Sequence, residues 1–315
     1  MADNHPSGFS TVNLSIPTIK TFHKKPYPAI SPLRPELSQA GRTVLLTGST
    51  GGIGFAIARA FVQAQAARVI ITSRRASAAA SAQAALTAFA KSINSPTVAI
   101  GTTSDVSDLA QSEQLWAKLA SDNIYVDVLV LNAAYFGASA TILKSPLAAT
   151  WNAYEVNVRT LIDTTKRFYE QPGGQEGRKK KYVVNVSTSA IHNFYTEATT
   201  MPLYGASKNA GTLAMQQIAK DIDVKDLQIV SYHPGGVFTQ ATRDAGYTED
   251  MIPFDHEDLP GNWGVWAASE EAAFLHGRFV VVHWDIDDLK KEETRKLIAA
   301  DPHFLQIGVV GVDSI

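Results

Sequence analysis

Apolar residues along this chain gather into short unbroken runs. From residue 41 onward a regular order begins: the run TVLL at 43–46, a helix-length stretch at 53–65, a second apolar run at 69–72, then an alanine-rich stretch at 77–92. Further strand-length runs lie at 97–101, 126–131, 182–186, 228–232 and 279–282, with segments long enough for helices between them. Strands that are apolar at every position suit a sheet covered on both faces, whereas a half-exposed sheet alternates. The pattern therefore predicts an α/β fold: a doubly wound parallel sheet (a Rossmann fold) of about seven strands with helices on both faces. Right-handed crossovers then place a ligand at the carboxyl ends of the strands.

Several segments break the alternation. Residues 1–40, with Pro17, Pro26, Pro28, Pro32 and Pro35, show neither period and read as an N-terminal arm before a single domain at 41–290, with 291–315 as a C-terminal tail. The stretch 171–181, QPGGQEGRKKK, reads as a solvated turn and is given no role. Residues 192–201 lengthen the connection after the fifth run. Residues 235–262, mixed in prolines, aromatics and acids, exceed an ordinary connection and are a lid candidate over a substrate.

Composition narrows the class. With 315 residues, 45% hydrophobic and 18% charged, one large domain can fill its core. A net charge of -2 gives no basic field to concentrate nucleic acid or anionic lipid, so neither partner is expected. The absence of cysteine removes disulfides, thiolate metal sites and cysteine nucleophiles together. No stretch approaches the roughly 20 apolar residues of a membrane span, and the first residues lack the apolar core of a secretory signal. The expectation is a soluble, cytoplasmic protein.

Two strings carry the chemistry. In TGSTGGIG, residues 47–54, Gly48 follows a buried strand directly while Gly52 and Gly54 open the next helix. Amides at that helix start can face a pyrophosphate; the plainer reading is a glycine-rich turn with no ligand. The end of the second strand selects the dinucleotide. An acid there accepts from a ribose 2'-hydroxyl, but this chain has Thr72, Ser73, Arg74 and Arg75, whose guanidinium groups suit the 2'-phosphate of NADP. Two solvent-facing arginines opening a helix are the plainer alternative. The second string is YGASK, residues 204–208. A free phenol ionises near pH 10 and is a poor acid or base at neutrality. Lys208, one helical turn beyond Tyr204 on the same face, can stabilise its phenolate. Taken alone, such a pair describes an exposed helix face.

Over residues 41–289 the chain resembles a classical short-chain dehydrogenase/reductase. TGSTGGIG matches the family's TGxxxGxG, which places Ser49, Thr50 and Ile53 beside the glycines at the cofactor. Asp105 and Val106 match the pair that touches adenine. LNAA at 131–134 matches the NNAG element, with Asn132 and Ala133 at the cofactor and Ala134 where the family usually has glycine. HPGGVFT at 233–239 resembles PGxVxT, which assigns Pro234, Gly235, Val237 and Thr239 to the nicotinamide end. The arm and the late segment AFLHGRFVVVHWDIDDL look like fungal reductases of secondary-metabolite type.

The resemblance also implies roles at the catalytic end. Tyr204 is the acid/base, Lys208 additionally holds the nicotinamide ribose, and Asn157 holds a water in a proton relay. The substrate-binding hydroxyl stays open among three neighbours in VVNVSTSA. Family register falls on Thr188, Ser189 takes the role if the turn shifts, and Ser187 lies on the other face if the strand still alternates. The family pairs the helices around Asn157 and Tyr204 between subunits, which implies a homodimer or homotetramer.

The remaining candidates are discounted. His192, His233, His256, His276 and His283 stand in no metal-ligand spacing, so no metal is expected. Trp151, Trp263, Trp266 and Trp284 read as core, with Trp263 or Trp266 also a candidate wall for a substrate pocket. The favoured function is NADP(H)-dependent interconversion of a ketone and a secondary alcohol on a small or medium apolar metabolite. The alternatives are non-redox chemistry on the same fold, such as dehydration, isomerisation or cyclisation, and a catalytically silent dinucleotide-binding regulator.

Overall fold

The structure, a computed structural model, describes residues 14–137, 140–173, 180–192, 201–244 and 246–309. Its elements follow the apolar runs: β1 (Thr43–Leu46), α1 (Gly52–Gln63), β2 (Arg68–Ser73), α2 (Ala76–Ser92), β3 (Val98–Thr103), α3 (Leu109–Ser121) and β4 (Val128–Leu131). Then come α4 (Leu147–Tyr154), α5 (Thr160–Glu170), β5 (Lys181–Val186), α6 (Pro202–Lys220), β6 (Leu227–His233), α7 (Gln240–Asp244), α8 (Asp258–Ala267), β7 (Arg278–Val281), α9 (Ile286–Lys290) and α10 (Glu292–Ala300). The seven strands pair in the order β3-β2-β1-β4-β5-β6-β7, each neighbour parallel. This is the expected doubly wound sheet, and its winding reverses between β1 and β4.

Alternate side chains feed two cores. Val44, Leu46, Val69, Ile71, Val128, Val130 and Val184 face α1, α2 and α8, where Ile57, Phe61, Leu86, Trp263 and Trp266 pack. Leu45, Ile70, Leu129, Leu131, Val183 and Ile229 face α3, α5 and α6, against Leu115, Trp116, Phe168 and Met215. Both faces being dry explains why the strands read as unbroken apolar runs.

The flanking segments are part of this packing. In the described stretch before Gly41, Ile19, Ile30 and Leu37 are buried in the first core. Lys20 and Thr21 each donate a backbone N–H to Asp288 Oδ2 at 2.8 Å, and Trp284 Nε1 donates to Leu14 O at 2.7 Å. Residues after 290 form α10 and then a return along β7, where the Phe279 amide donates to Leu305 O at 2.8 Å. The lid candidate is shorter than read from sequence, because its end enters the buried helix α8. Trp263 and Trp266 are fully buried there and wall no pocket. Trp151 departs from its expected core role: it is 59% exposed on α4.

Candidate active site

At the reversal of the sheet, the ends of β1 and β4 are bolted together. Thr47 Oγ1 accepts the backbone N–H groups of Asn132 and Ala133 at 3.0 and 3.1 Å, and Asn132 Nδ2 donates to the carbonyls of Thr47 and Gly48 at 3.2 and 2.8 Å. Asn132 thus shapes the crevice through both strands. Gly48 has φ +61°, and a Cβ there would lie 2.8 Å from Ala133 Cα; at Gly54 one would lie 2.5 Å from Asn132 Nδ2. Only bare backbone fits at either position. Ala134 needs no glycine, since its φ is not positive.

The start of α1 is open. No side chain caps Gly51, no acid stands in the first turn, and a Cβ built on Gly51 meets nothing within 4 Å. Uncapped amides beside empty space fit a pyrophosphate. Thr239 leans over the same turn, its Cγ2 being 3.1 Å from where a Gly52 Cβ would stand. The Ser49 hydroxyl turns inward to Leu46 O at 3.1 Å, so its backbone is the part that faces the turn. Thr50 and Ile53 are half-buried beside it. At the end of β2, Ser73 Oγ accepts the Arg75 N–H at 3.2 Å. Arg74 and Arg75 are exposed, and among the described residues neither guanidinium has an ion-pair partner. Asp105 Oδ1 accepts Ser107 N at 3.0 Å and Ser107 Oγ at 2.7 Å, and Val106 is buried beneath.

The catalytic candidates meet where β5 ends and α6 begins. The Thr188 side chain lies near enough to the Tyr204 hydroxyl to lower its pKa. Thr188 Oγ1 also accepts the Ala190 N–H at 3.2 Å, which caps the short turn that follows. Ser187 points away, its hydroxyl 2.6 Å from Thr212 Oγ1 inside the α6 packing. Ser189 presents its backbone N–H to His233 Nδ1 at 3.1 Å. Of the three open hydroxyls, Thr188 is the one beside the phenol. Lys208 is 3% exposed and donates from Nζ to Val186 O at 2.7 Å. Desolvation pushes the Tyr204 phenol up to about 12, with the Thr188 hydrogen bond opposing, and pushes the Lys208 ammonium down to about 8.

Asn157 lies in a π-helical turn, Glu155–Arg159, between α4 and α5. Its amide makes three hydrogen bonds: Oδ1 accepts Tyr135 N at 2.9 Å, and Nδ2 donates to Tyr135 O at 2.8 Å and to Ser207 Oγ at 2.9 Å. The side chain therefore clamps the chain after β4. Its main-chain carbonyl faces α6 at Gly211, where a Cβ would lie 2.2 Å from it.

Several neighbours carry no sequence signal of their own. Phe136 stacks on Tyr204, ring centroids 4.7 Å apart and planes at 25°. Beyond β6, Asp255 Oδ2 accepts the Gly236 N–H at 2.7 Å and lies 2.7 Å from His283 Nε2, while Asp255 N donates to Gly236 O at 2.7 Å. This ties the Pro234–Gly235 turn to the far end of the lid candidate, and Val237 pairs with Asp255 in a single parallel bridge. Only the order of residues in HPGG hinted that this turn matters. Among the described residues no group of histidines and acids could hold a metal ion, and no helix is long and apolar enough to cross a membrane.

Comparisons with known proteins agree with this geometry. The short chain dehydrogenase family model matches residues 42–250. A short chain dehydrogenase/reductase of Claviceps purpurea is 33% identical over 293 residues, covering 92% of this chain and 94% of its own. One from Aspergillus novofumigatus is 32% identical over 295 residues, covering 92% and 96%. Among solved structures, the Pseudomonas aeruginosa RhlG/NADP complex superposes with a TM-score of 0.68 at 22% identity, over 79% of this chain and 98% of that one. With its TGxxxGxG turn at the sheet reversal and its Tyr204–Lys208 helix beside β5, the chain belongs to the short chain dehydrogenase/reductase family.

Proposed function

We propose that this oxidoreductase uses NADP(H) to interconvert a ketone and a secondary alcohol on a small or medium apolar metabolite, as a step of fungal secondary metabolism. The observation that carries the reading is the meeting of Thr188, just past β5, with Tyr204 and Lys208 on α6, the Thr188 side chain being near enough to the phenol to lower its pKa. Two hydroxyl groups converging there form a seat for one carbonyl oxygen.

Bound at the open start of α1, the dinucleotide supplies the hydride. Thr188 donates a hydrogen bond to the substrate oxygen and polarises the carbonyl. Tyr204, held protonated by its raised pKa, donates its proton to the same oxygen as negative charge develops there. The resulting phenolate is balanced by the Lys208 ammonium, whose anchor on Val186 O fixes its height in the helix. With Nδ2 donating to Tyr135 and Ser207, the part of Asn157 in the relay is to accept a hydrogen bond from a water that returns the proton to Tyr204. The inward Ser187 is left out of the chemistry.

NADP rather than NAD is supported by the exposed, unpaired Arg74 and Arg75 and by the absence of an acid at the end of β2. Assembly as a homodimer or homotetramer in the cytoplasm belongs to the same proposal. The assembly, though not the location, is supported by exposed Leu147, Trp151, Ile162 and Leu213 on α4, α5 and α6. The loop between Val237 and Asp255 serves as the substrate lid.

Titration of the protein with NADPH and with NADH, followed by nicotinamide fluorescence, tests the cofactor. The expected result is tighter NADPH binding and loss of that preference in Arg74→Ala/Arg75→Ala. Binding of neither nucleotide would remove the redox reading. A product two hydrogens heavier than the ketone supports reduction; loss of water or an unchanged mass points to the non-redox alternatives.

A further inference from the structure

Phe136 is one of the large apolar side chains that the fold leaves exposed, and it stands beside Tyr204. It is 43% exposed, and among the described residues its one ring partner is Tyr204. Its position is set by backbone rather than by burial. Tyr135 before it is clamped through both its N–H and its C=O by Asn157, and Gly137 after it has φ +73°, which turns the chain away. A phenyl ring is thus held stacked on the Tyr204 phenol, planes 25° apart, with 43% of the residue still exposed.

We infer that Phe136 is a specificity-determining wall that selects ketones whose carbonyl-bearing ring is fused to an aromatic ring. The inference rests on the reading of Tyr204 as the group that receives the substrate oxygen. A ketone seated on Tyr204 and Thr188 extends its carbon skeleton past the ring stacked on Tyr204. A flat π-system there gains an offset-stacked contact, worth about two- to tenfold in affinity beyond the area it buries. A puckered saturated ring of equal size gains the area alone. The Asn157 clamp gives the wall its rigidity, so little ordering of the protein is lost on binding.

The test compares 2-tetralone, benzo-fused, with 2-decalone, its saturated counterpart, on the full chain. Calorimetry gives both dissociation constants for wild type, Phe136→Leu and Phe136→Tyr, and circular dichroism and NADPH affinity control for folding. The expected result is a tetralone preference of about five- to tenfold in wild type and Phe136→Tyr that collapses in Phe136→Leu. The same ratio in all three proteins, or no binding of either ketone to wild type, overturns the inference. Turnover is read separately from binding. If the preference follows Phe136 while neither ketone consumes NADPH, the wall stands and the redox reading falls.

Discussion

The Asp255 carboxylate and the His283 imidazole meet at 2.7 Å, behind the turn assigned to the nicotinamide. The same oxygen holds the Gly236 amide, and a Cβ on Gly235 would lie 2.5 Å from it, so the carboxylate sits directly under the Pro234–Gly236 backbone. Asp255 is 8% exposed. Asp255→Ala removes both partners of this oxygen and leaves the Gly236 N–H unmet, an expected loss of about 2 kcal/mol in urea denaturation after allowance for the partly exposed histidine. Cofactor affinity falls with it, because the turn loses its support. Asp255→Asn keeps an acceptor and is expected to recover most of the affinity. Equal cofactor dissociation constants for wild type and the alanine variant would contradict this placement.

Tyr204→Phe separates chemistry from binding. The ring, its stack with Phe136 and its helix are preserved, and only the hydroxyl beside Thr188 is lost. Turnover is expected to fall by at least 10²-fold, the lower range for a positioned proton donor, with NADPH affinity changed less than about twofold. Steady-state rates and fluorescence titration on the same preparation decide it. A rate near wild type would reassign the proton donor.

How much of this is readable in the sequence depends on what holds each part. The strand at 43–46 is found where the apolar run puts it, because burial on both faces writes an unbroken run. The helix α8 is not readable. Its DLPGNWGVWA contains Pro260, Gly261 and Gly264, which oppose a helix locally. Tertiary packing reverses that preference: a Cβ on Gly261 would lie 2.8 Å from Ala56 O, and one on Gly264 would lie 3.3 Å from Ile57 Cγ2, so the small residues let α8 settle on α1 and bury both tryptophans. The proline-rich segment before Gly41 hides its role similarly, since Ile19, Ile30 and Leu37 are core residues with no common period. At the site, the motifs give Tyr204, Lys208 and the glycine turn. The choice among Ser187, Thr188 and Ser189 needs the direction of three consecutive side chains at a strand end, and no local pattern encodes it.

Lys208 is a buried ammonium that the fold holds at a cost in stability. Its folded value of about 8 lies below the ordinary lysine value of 10.5, so the unfolded chain binds the extra proton between those two pH values, and stability rises with pH across that window. Below pH 8 the burial penalty is fully present, about 3 kcal/mol. Lys208→Met removes it but leaves Val186 O without its donor, which returns about 1–3 kcal/mol. The variant is expected to be at least as stable as wild type at pH 7, and to lose the rise in stability between pH 8 and 10. Its turnover should be abolished. Urea midpoints at the two pH values, beside activity, check the trade; a variant that keeps the wild-type rise assigns it to another group.

His233 sets the acid limit of the fold. Its Nδ1 accepts the Ser189 N–H, so the ring is held neutral with its proton on Nε2. Burial, with help from His283 and His192 and against the pull of Asp255, drives it down to about 3. Because the folded value lies below the ordinary 6.5, the unfolded chain takes up the proton first. Stability present above pH 6.5 is therefore lost progressively as pH falls toward 3, on the order of 5 kcal/mol over the whole window. His233→Asn offers an acceptor to Ser189 and cannot titrate. Between pH 7.5 and 5, wild type should lose about 2 kcal/mol from this group, and the asparagine variant should lose correspondingly less, whatever its stability at pH 7.5. If the two proteins fall by the same amount, the acid sensitivity lies in other groups and the Ser189–His233 bond is not what ties the catalytic turn to β6.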